Sequence, residues 1–338
     1  MKAIGYTDNL PIDHPEALLE RELLTPHPGD WDLLVNVQAV SVNPVDTKVR
    51  LGAPVGADGF RVLGWDACGI VHSTGPEVDG FRPGDRVWYA GDYGRAGSNA
   101  EQQLVDARLV SRSPASLTPA QAAALPLTSL TAWEALFERL GYSAEPSEWN
   151  RANPLLIING AGGVGSIALQ LCRLAGIPVT ATASRAQSRD WCRQMGATDV
   201  IDHAELAQWP EASFARILCC HDTDRYFDTM ARLVAPQGLI CALSSTKEPH
   251  QLQPLMSKSA GFVWEFMFTR SQYHTADMGR QGQILEAVAR LVDEGQLQST
   301  LTETVTGLSA DNIRNMHRRQ EEGGLIGKQV LLLDGRER

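Results

Sequence analysis

Between Leu155 and Arg185 the chain reads LLIINGAGGVGSIALQLCRLAGIPVTATASR, and no other stretch restricts the fold as much. Leu155–Ile158 is a wholly apolar run of the kind that forms a parallel strand buried on both faces. Gly160, Gly162 and Gly165 follow at the spacing G-x-G-x-x-G, with Ala161, Gly163 and Val164 between them. From Val164 onward apolar residues recur at helical intervals, through Ile167, Ala168, Leu171 and Ala175. The glycines therefore lie between a strand and a helix, the context in which this spacing carries information. Glycine turns the chain tightly and lets backbone N–H groups approach a pyrophosphate, which then rests on the positive end of the helix. A second strand over residues 178–183 closes a β-α-β unit. The expectation is a dinucleotide site built on Gly160, Ala161, Gly162, Gly163, Val164 and Gly165.

The tip of that second strand decides which dinucleotide is expected. A free ribose 2′-OH is usually held there by an acidic residue roughly 20 residues past the glycines. Residues 179–185 contain no Asp or Glu; Ser184 and Arg185 stand there instead, with Arg189 close behind. A guanidinium suits a 2′-phosphate, so the expected cofactor is NADP(H) rather than NAD(H).

With 338 residues the chain is long enough for two domains with separate cores. A formal net charge of −10 argues against a broad nucleic-acid or anionic-membrane surface. No apolar run approaches the length needed to cross a bilayer. The start, MKAIGYTDNL, lacks the apolar core of an export signal, so a cytoplasmic location is expected. Six cysteines at 68, 172, 192, 219, 220 and 241 show no C-x-x-C pairing, which reads as reduced, buried thiols.

Residues 1–125 have the grammar of a compact β-rich domain. Val35, Val37 and Ala39 alternate with Asn36 and Gln38, and Gly-Pro and Pro-Gly-Asp turns punctuate short β-prone pieces. Helices are expected after residue 117 and over 130–140. Beyond the glycine loop, strands near 199–201, 217–220 and 239–243 alternate with helices, which predicts a doubly wound parallel sheet. Past about residue 265 that alternation breaks. A final strand over 329–333 has no place in a finished doubly wound sheet, and its expected position is back in the first domain. The sequence holds no internal repeat.

Dispersed through the chain are SVNPVDTKVR (41–50), LGWDACGIV (63–71), GFRPGDRV (80–87), GSNAEQQLVD (97–106), LPLTSLTAWEAL (125–136), NGAGGVGSIALQL (159–171), GATDVIDH (196–203) and IGKQVLLL (326–333). In this order they resemble the medium-chain dehydrogenase/reductases. Within these, the chain is similar to the quinone-oxidoreductase branch and the group called zinc-type alcohol dehydrogenase-like proteins. The resemblance implies an α/β protein with a GroES-like β-rich catalytic domain from 1–125 and 266–338. It also implies a central Rossmann domain over 126–265 that binds NADP(H), an active cleft between the two, and a homodimer.

The resemblance also raises the question of zinc. Zinc-dependent relatives place a Cys and a His at positions read here as Pro44 and Trp65, neither of which can ligate. Asp46 and Asp66 remain, and two carboxylates without Cys or His make a poor zinc site. Cys68 and His72 read as structural residues of a strand. No metal is expected. Without a Lewis acid nothing lowers an alcohol's pKa before hydride leaves. Acceptors that are already electron-poor, quinones or α,β-unsaturated carbonyls (enones), are then the expected substrates, with the protein aligning nicotinamide and carbonyl.

Residue by residue, the resemblance implies that Asn43 lies beside nicotinamide and substrate and that Thr131 lies near the nicotinamide. His203 stands where many members carry an adenine-side Tyr. Asp46 is a candidate for positioning a neighbour or a water, and Lys48 for bonding a developing oxyanion. Tyr93, on the loop GDYGRAG, is a candidate cleft ring or proton donor. His221 and Thr223 follow a predicted strand end and are expected to border the ligand crevice. Phe262, Trp264, Phe266 and Phe268 suit a pocket wall, a dimer interface or plain core. Two other functions stay open on sequence alone. One is a zinc-type alcohol dehydrogenase, and the other an NADPH-binding protein with a structural or RNA-binding role, the latter weakened by the acidic composition.

Overall fold

The computed structural model describes residues 1–56 and 59–334. The chain divides into two compact units, one of Met1–Leu127 with the stretch from Phe268 onward, the other of Thr128–Met267.

The first unit is built on strands β1 (Lys2–Tyr6), β2 (Leu19–Glu22), β3 (Asp32–Ser41), β4 (Arg61–Val62), β5 (Ala67–Thr74), β6 (Arg86–Tyr89), β7 (Gln102–Asp106) and β8 (Ser111–Arg112). β3 is the axis of its larger sheet. It pairs antiparallel with β5 over most of its length and with β7 over residues 32–36. Leu33, Leu34, Val35, Val37, Ala39 and Val40 of β3 are all buried. The predicted alternation is therefore only partial, because β3 is covered on both faces.

The second unit holds a single parallel sheet of β9 (Leu155–Ile158), β10 (Val179–Thr182), β11 (Asp199–Ile201), β12 (Phe214–Cys219), β13 (Val234–Ala242) and β14 (Gly261–Trp264), in the order β11-β10-β9-β12-β13-β14. That is the doubly wound order, reversing direction between β9 and β12. Leu156, Ile158, Ile217, Phe227, Met230 and Ile240 pack one side of it. Two features depart from expectation. Residues 130–140 are not one helix: Pro126–Trp133 is α-helical and Glu134–Arg139 is a π-helical segment. The aromatic run from Phe262 begins as the edge strand β14, with Phe262 against Phe227 and the Trp264 ring exposed.

β15 (Leu301–Thr306) and β16 (Lys328–Leu332) return to the first unit. β16 pairs antiparallel with β3, Val330 opposite Ser41, so the last strand lies where the sequence predicted. All six cysteines are free, and no helix among the described residues is long and apolar enough to cross a membrane.

Candidate active site

In the first unit, the helix Pro44–Gly52 starts straight out of β3. Pro44 suits a first helical position, where an N–H has no partner to lose. The N–H of Asn43, just before it, donates to Asp46 Oδ2 at 2.8 Å. Gly64, at φ +109, turns the chain in front of β5 so that Trp65 and Asp66 point inward, both buried.

Lys328, the first residue of β16, reaches into the same place. Its Nζ donates to Val42 O at 2.9 Å and to Asn43 Oδ1, and lies 3.3 Å from Asp66 Oδ2. Asn43 Nδ2 donates to Asp66 Oδ2 at 3.1 Å, while Asp66 Oδ1 accepts from the Leu127 N–H at 3.0 Å. Asn43, Asp46, Asp66 and Lys328 are each no more than 5% exposed. Burial pushes Asp46 up to about 7 and Asp66 up to about 6, against the pull of backbone N–H groups and the Lys328 ammonium. Burial likewise lowers Lys328, opposed by the two carboxylates. Of the two acids, Asp66 has the ammonium directly beside it, and Asp46 is the one that burial pushes higher.

This arrangement separates the residues proposed from sequence. Asp46 is wholly buried while Lys48, two positions on, is exposed, so the two do not form a surface pair. The Asn43 amide is engaged at both ends within the first unit. The Tyr93 ring lies tilted, its centroid 5.8 Å from that of Trp65 and 5.7 Å from that of Phe268, under the Arg61 guanidinium. Phe268 is therefore a core ring of this cluster, and Phe266 is exposed. Lys328 went unrecognised in the sequence. The signal for it was a lone lysine heading a wholly buried run.

The donor set does not fit a zinc ion. Pro44 offers no lone pair, and the Trp65 indole N–H donates to Asp92 O at 3.1 Å. The place beside Asp66 where a cation would bind is held by the Lys328 ammonium. Cys68 is buried in β5 with Sγ toward Ser113, and the His72 side chain is exposed. Among the described residues no three His, Cys, Asp or Glu side chains come together as metal ligands.

In the second unit, the glycine loop follows β9. A Cβ on Gly165 would stand 2.6 Å from the carbonyl oxygens of Asn159 and Gly160, backbone atoms that cannot move aside, so this glycine allows the helix Gly163–Leu174 to press onto the strand. Gly160 is packed against Ala181 and Cys192. Gly162 is the N-cap, and the first bond of the helix runs from the Ser166 N–H to Gly162 O. The N–H groups of Gly163, Val164 and Gly165 precede that ladder at the positive end of a helix of 12 residues, a fit for a pyrophosphate.

Beside this loop, Thr182 Oγ1 accepts from the Asn159 N–H at 2.8 Å and lies 3.1 Å from His203 Nδ1; Tyr226 OH lies 3.0 Å from the same nitrogen. Burial, helped by His221, lowers the His203 pKa and keeps its ring neutral. The rings of His203 and His221 are 6.4 Å apart. Thr223 Oγ1 donates to Ser244 O at 2.6 Å, tying the helix Thr223–Leu233 to the end of β13. Thr131 is buried in the helix Pro126–Trp133.

Ser184 and Arg185 are exposed at the tip of β10, whereas Arg189 donates to Val200 O at 2.9 Å and pairs with Glu205. Ser184 also bonds the carboxylate of Asp202, which the Ala204 N–H holds below the usual range. An acid therefore does stand at this tip. It comes from the end of β11, and a search along β10 alone could not find it.

The family signature described as "Alcohol dehydrogenase GroES-like domain" matches residues 29–115, and that described as "Zinc-binding dehydrogenase" matches residues 195–331. A zinc-type alcohol dehydrogenase-like protein of Staphylococcus epidermidis is 42% identical over 338 residues, covering 98% of this chain and all of that one. Among solved structures, a candidate zinc-dependent alcohol dehydrogenase from Rhizobium etli CFN 42 superposes with a TM-score of 0.93 at 44% identity over 99% of each chain. The Escherichia coli quinone oxidoreductase complexed with NADPH shares the fold, with a TM-score of 0.81 at 21% identity over 98% of this chain and 100% of that one.

Proposed function

The chain belongs to the medium-chain dehydrogenase/reductase superfamily, and from that premise we propose that it is a zinc-independent, NADPH-dependent reductase of quinones or α,β-unsaturated carbonyls. The observation that carries this reading is the Lys328 ammonium set against Asp66, where a metal-dependent relative would need a ligand set. A site built this way does not acidify an alcohol, and it suits an acceptor whose carbon is already electrophilic.

NADPH supplies the hydride when bound. The N–H groups of Gly163, Val164 and Gly165 bind its pyrophosphate, with Gly160, Ala161 and Gly162 shaping the turn. Arg185 takes the 2′-phosphate, with Ser184 beside it and Arg189 adding charge. His203, held neutral between Thr182 and Tyr226, presents its ring to the adenosine end, next to His221 and Thr223. Thr131 lines the nicotinamide end.

In the first unit, Asn43 and Asp46 act as positioning residues, since both are buried and bonded to their neighbours. Tyr93 and Lys48 are the candidates that bond the acceptor oxygen as charge develops on it. The protein works as a homodimer, a reading supported by the edge position of β14 and the exposed Trp264 and Phe266 rings.

The names of the relatives at 40% identity or more favour a zinc alcohol dehydrogenase, the competing reading. One experiment separates the two: NADPH oxidation by purified protein, with a panel of quinones and enones on one side and NADP⁺ reduction by simple alcohols on the other. Turnover of the panel without alcohol oxidation supports the reductase; alcohol oxidation alone overturns it.

A further inference from the structure

A hydrogen-bonded chain in the second unit joins the glycine turn to His203, and contact with the adenosine end alone does not account for it. Asn159, the first residue after β9, has φ +69, a left-handed backbone that a residue other than glycine keeps only when its neighbours hold it. Thr182, the last residue of β10, does the holding. Its Oγ1 accepts from the Asn159 N–H at 2.8 Å, and its main-chain O accepts from the Gly160 N–H at 3.1 Å. Both N–H groups at the entry of the turn thus end on one threonine, which is wholly buried.

Thr182 also decides the state of His203. Its oxygen already serves as an acceptor, and its hydroxyl hydrogen needs an acceptor of its own, because burial takes it away from water. Among the described residues that acceptor is His203 Nδ1, at 3.1 Å. Nδ1 therefore carries a lone pair, which Tyr226 OH shares at 3.0 Å, and the ring proton sits on Nε2. The ring is half-buried, and Nε2 meets no partner among the described residues. Around it stand Asp202, the His221 ring at 6.4 Å, and Arg225, whose guanidinium lies over Tyr226. Burial first, then His221, hold His203 below the ordinary imidazole value of 6.5, with Asp202 opposing.

We propose that His203 is a positioning residue of the glycine turn, its neutral Nδ1 fixing the Thr182 hydroxyl that holds Asn159 and its Nε2–H offered to an acceptor atom of a bound nucleotide. The proposal rests on the reading of this turn as a pyrophosphate site. A second ring proton, at Nδ1, would face the Thr182 hydroxyl hydrogen. The hydroxyl would have to turn, and the Asn159 N–H would lose the acceptor aimed at it. Acid then weakens nucleotide binding, whereas an imidazolium acting only as a cation beside phosphates would strengthen it. The two roles have opposite signs.

NADP⁺ and NAD⁺, the latter without a titrating 2′-phosphate, are titrated calorimetrically against wild type, Thr182→Val and Thr182→Ser over a series of pH values. For wild type, both dissociation constants are expected to rise as pH falls below 6.5. Thr182→Val should raise both about fivefold or more at neutral pH and lose the acid limb, and Thr182→Ser, which keeps the hydroxyl, should restore both features. Wild-type binding that tightens in acid, or a folded Thr182→Val with wild-type affinity, overturns the proposal. Nitrogen-15 spectra of the histidines give a second readout on the wild type alone. A bare Nδ1 and a protonated Nε2 are expected for His203 at neutral pH, and a proton on Nδ1 overturns the proposal. A wild type with that bare Nδ1 that binds neither nucleotide overturns the cofactor reading and leaves the Thr182–His203 bond standing.

Discussion

Lys328 and Asn43, 285 positions apart in sequence, are joined directly, the lysine Nζ donating to the asparagine Oδ1. Through that bond the last strand fixes the amide at the head of the helix Pro44–Gly52 and brings a cation against Asp66.

Removing the cation isolates that link. Lys328→Met leaves Asp66 buried without its ammonium, and breaking a buried pair from one side costs about 3–5 kcal/mol. Chemical denaturation should register that loss. The double variant Lys328→Met/Asp66→Asn removes both charges and should regain most of it. Equal stability of wild type and single variant would contradict the assignment.

Asp46 predicts a pH dependence of stability. Its folded pKa, about 7, lies above the value of 3.8 that it has when exposed, so the folded chain holds a proton that the unfolded chain has released. Stability from this group is complete below 3.8, falls as pH rises, and levels off above about 7. Asp66 adds a similar fall that ends near 6. Asp46→Asn should flatten the curve between 6 and 7, as read by thermal melts at a series of pH values. An unchanged slope would show that Asp46 is ionised in the fold.

Cofactor choice turns on two residues of opposite sign at the tip of β10. Arg185→Glu should weaken NADPH selectively and narrow its advantage over NADH. Asp202→Asn should do the reverse, removing a carboxylate that Ser184 holds at the same tip. Titration of both variants with each nucleotide reads this out. A cofactor ratio unmoved by Arg185→Glu rules out that residue as the 2′-phosphate ligand.

The local rules of the chain made much of this legible. A strand, a glycine turn and a helix in one run specify the core of the second unit, because Gly162 and Gly165 answer contacts within a few residues. The return of the last strand was also legible, since a finished parallel sheet has no room for it. What stayed hidden depends on contacts between distant residues. Lys328 looks like any strand-edge lysine until β16 lies beside β3. Asp202 becomes a neighbour of Ser184 only when β11 pairs with β10. The π-helical turn follows no apolar period and left no trace in the spacing.

In the proposed reductase a lysine-held acid cluster stands where relatives are named for a metal. The most direct test is the zinc content of purified protein, read by plasma mass spectrometry on the same sample whose NADPH-dependent quinone and enone turnover is measured before and after chelation. Far less than one zinc per chain is expected, with turnover that chelation leaves unchanged. One zinc per chain, with activity lost on its removal and restored on its return, would contradict it.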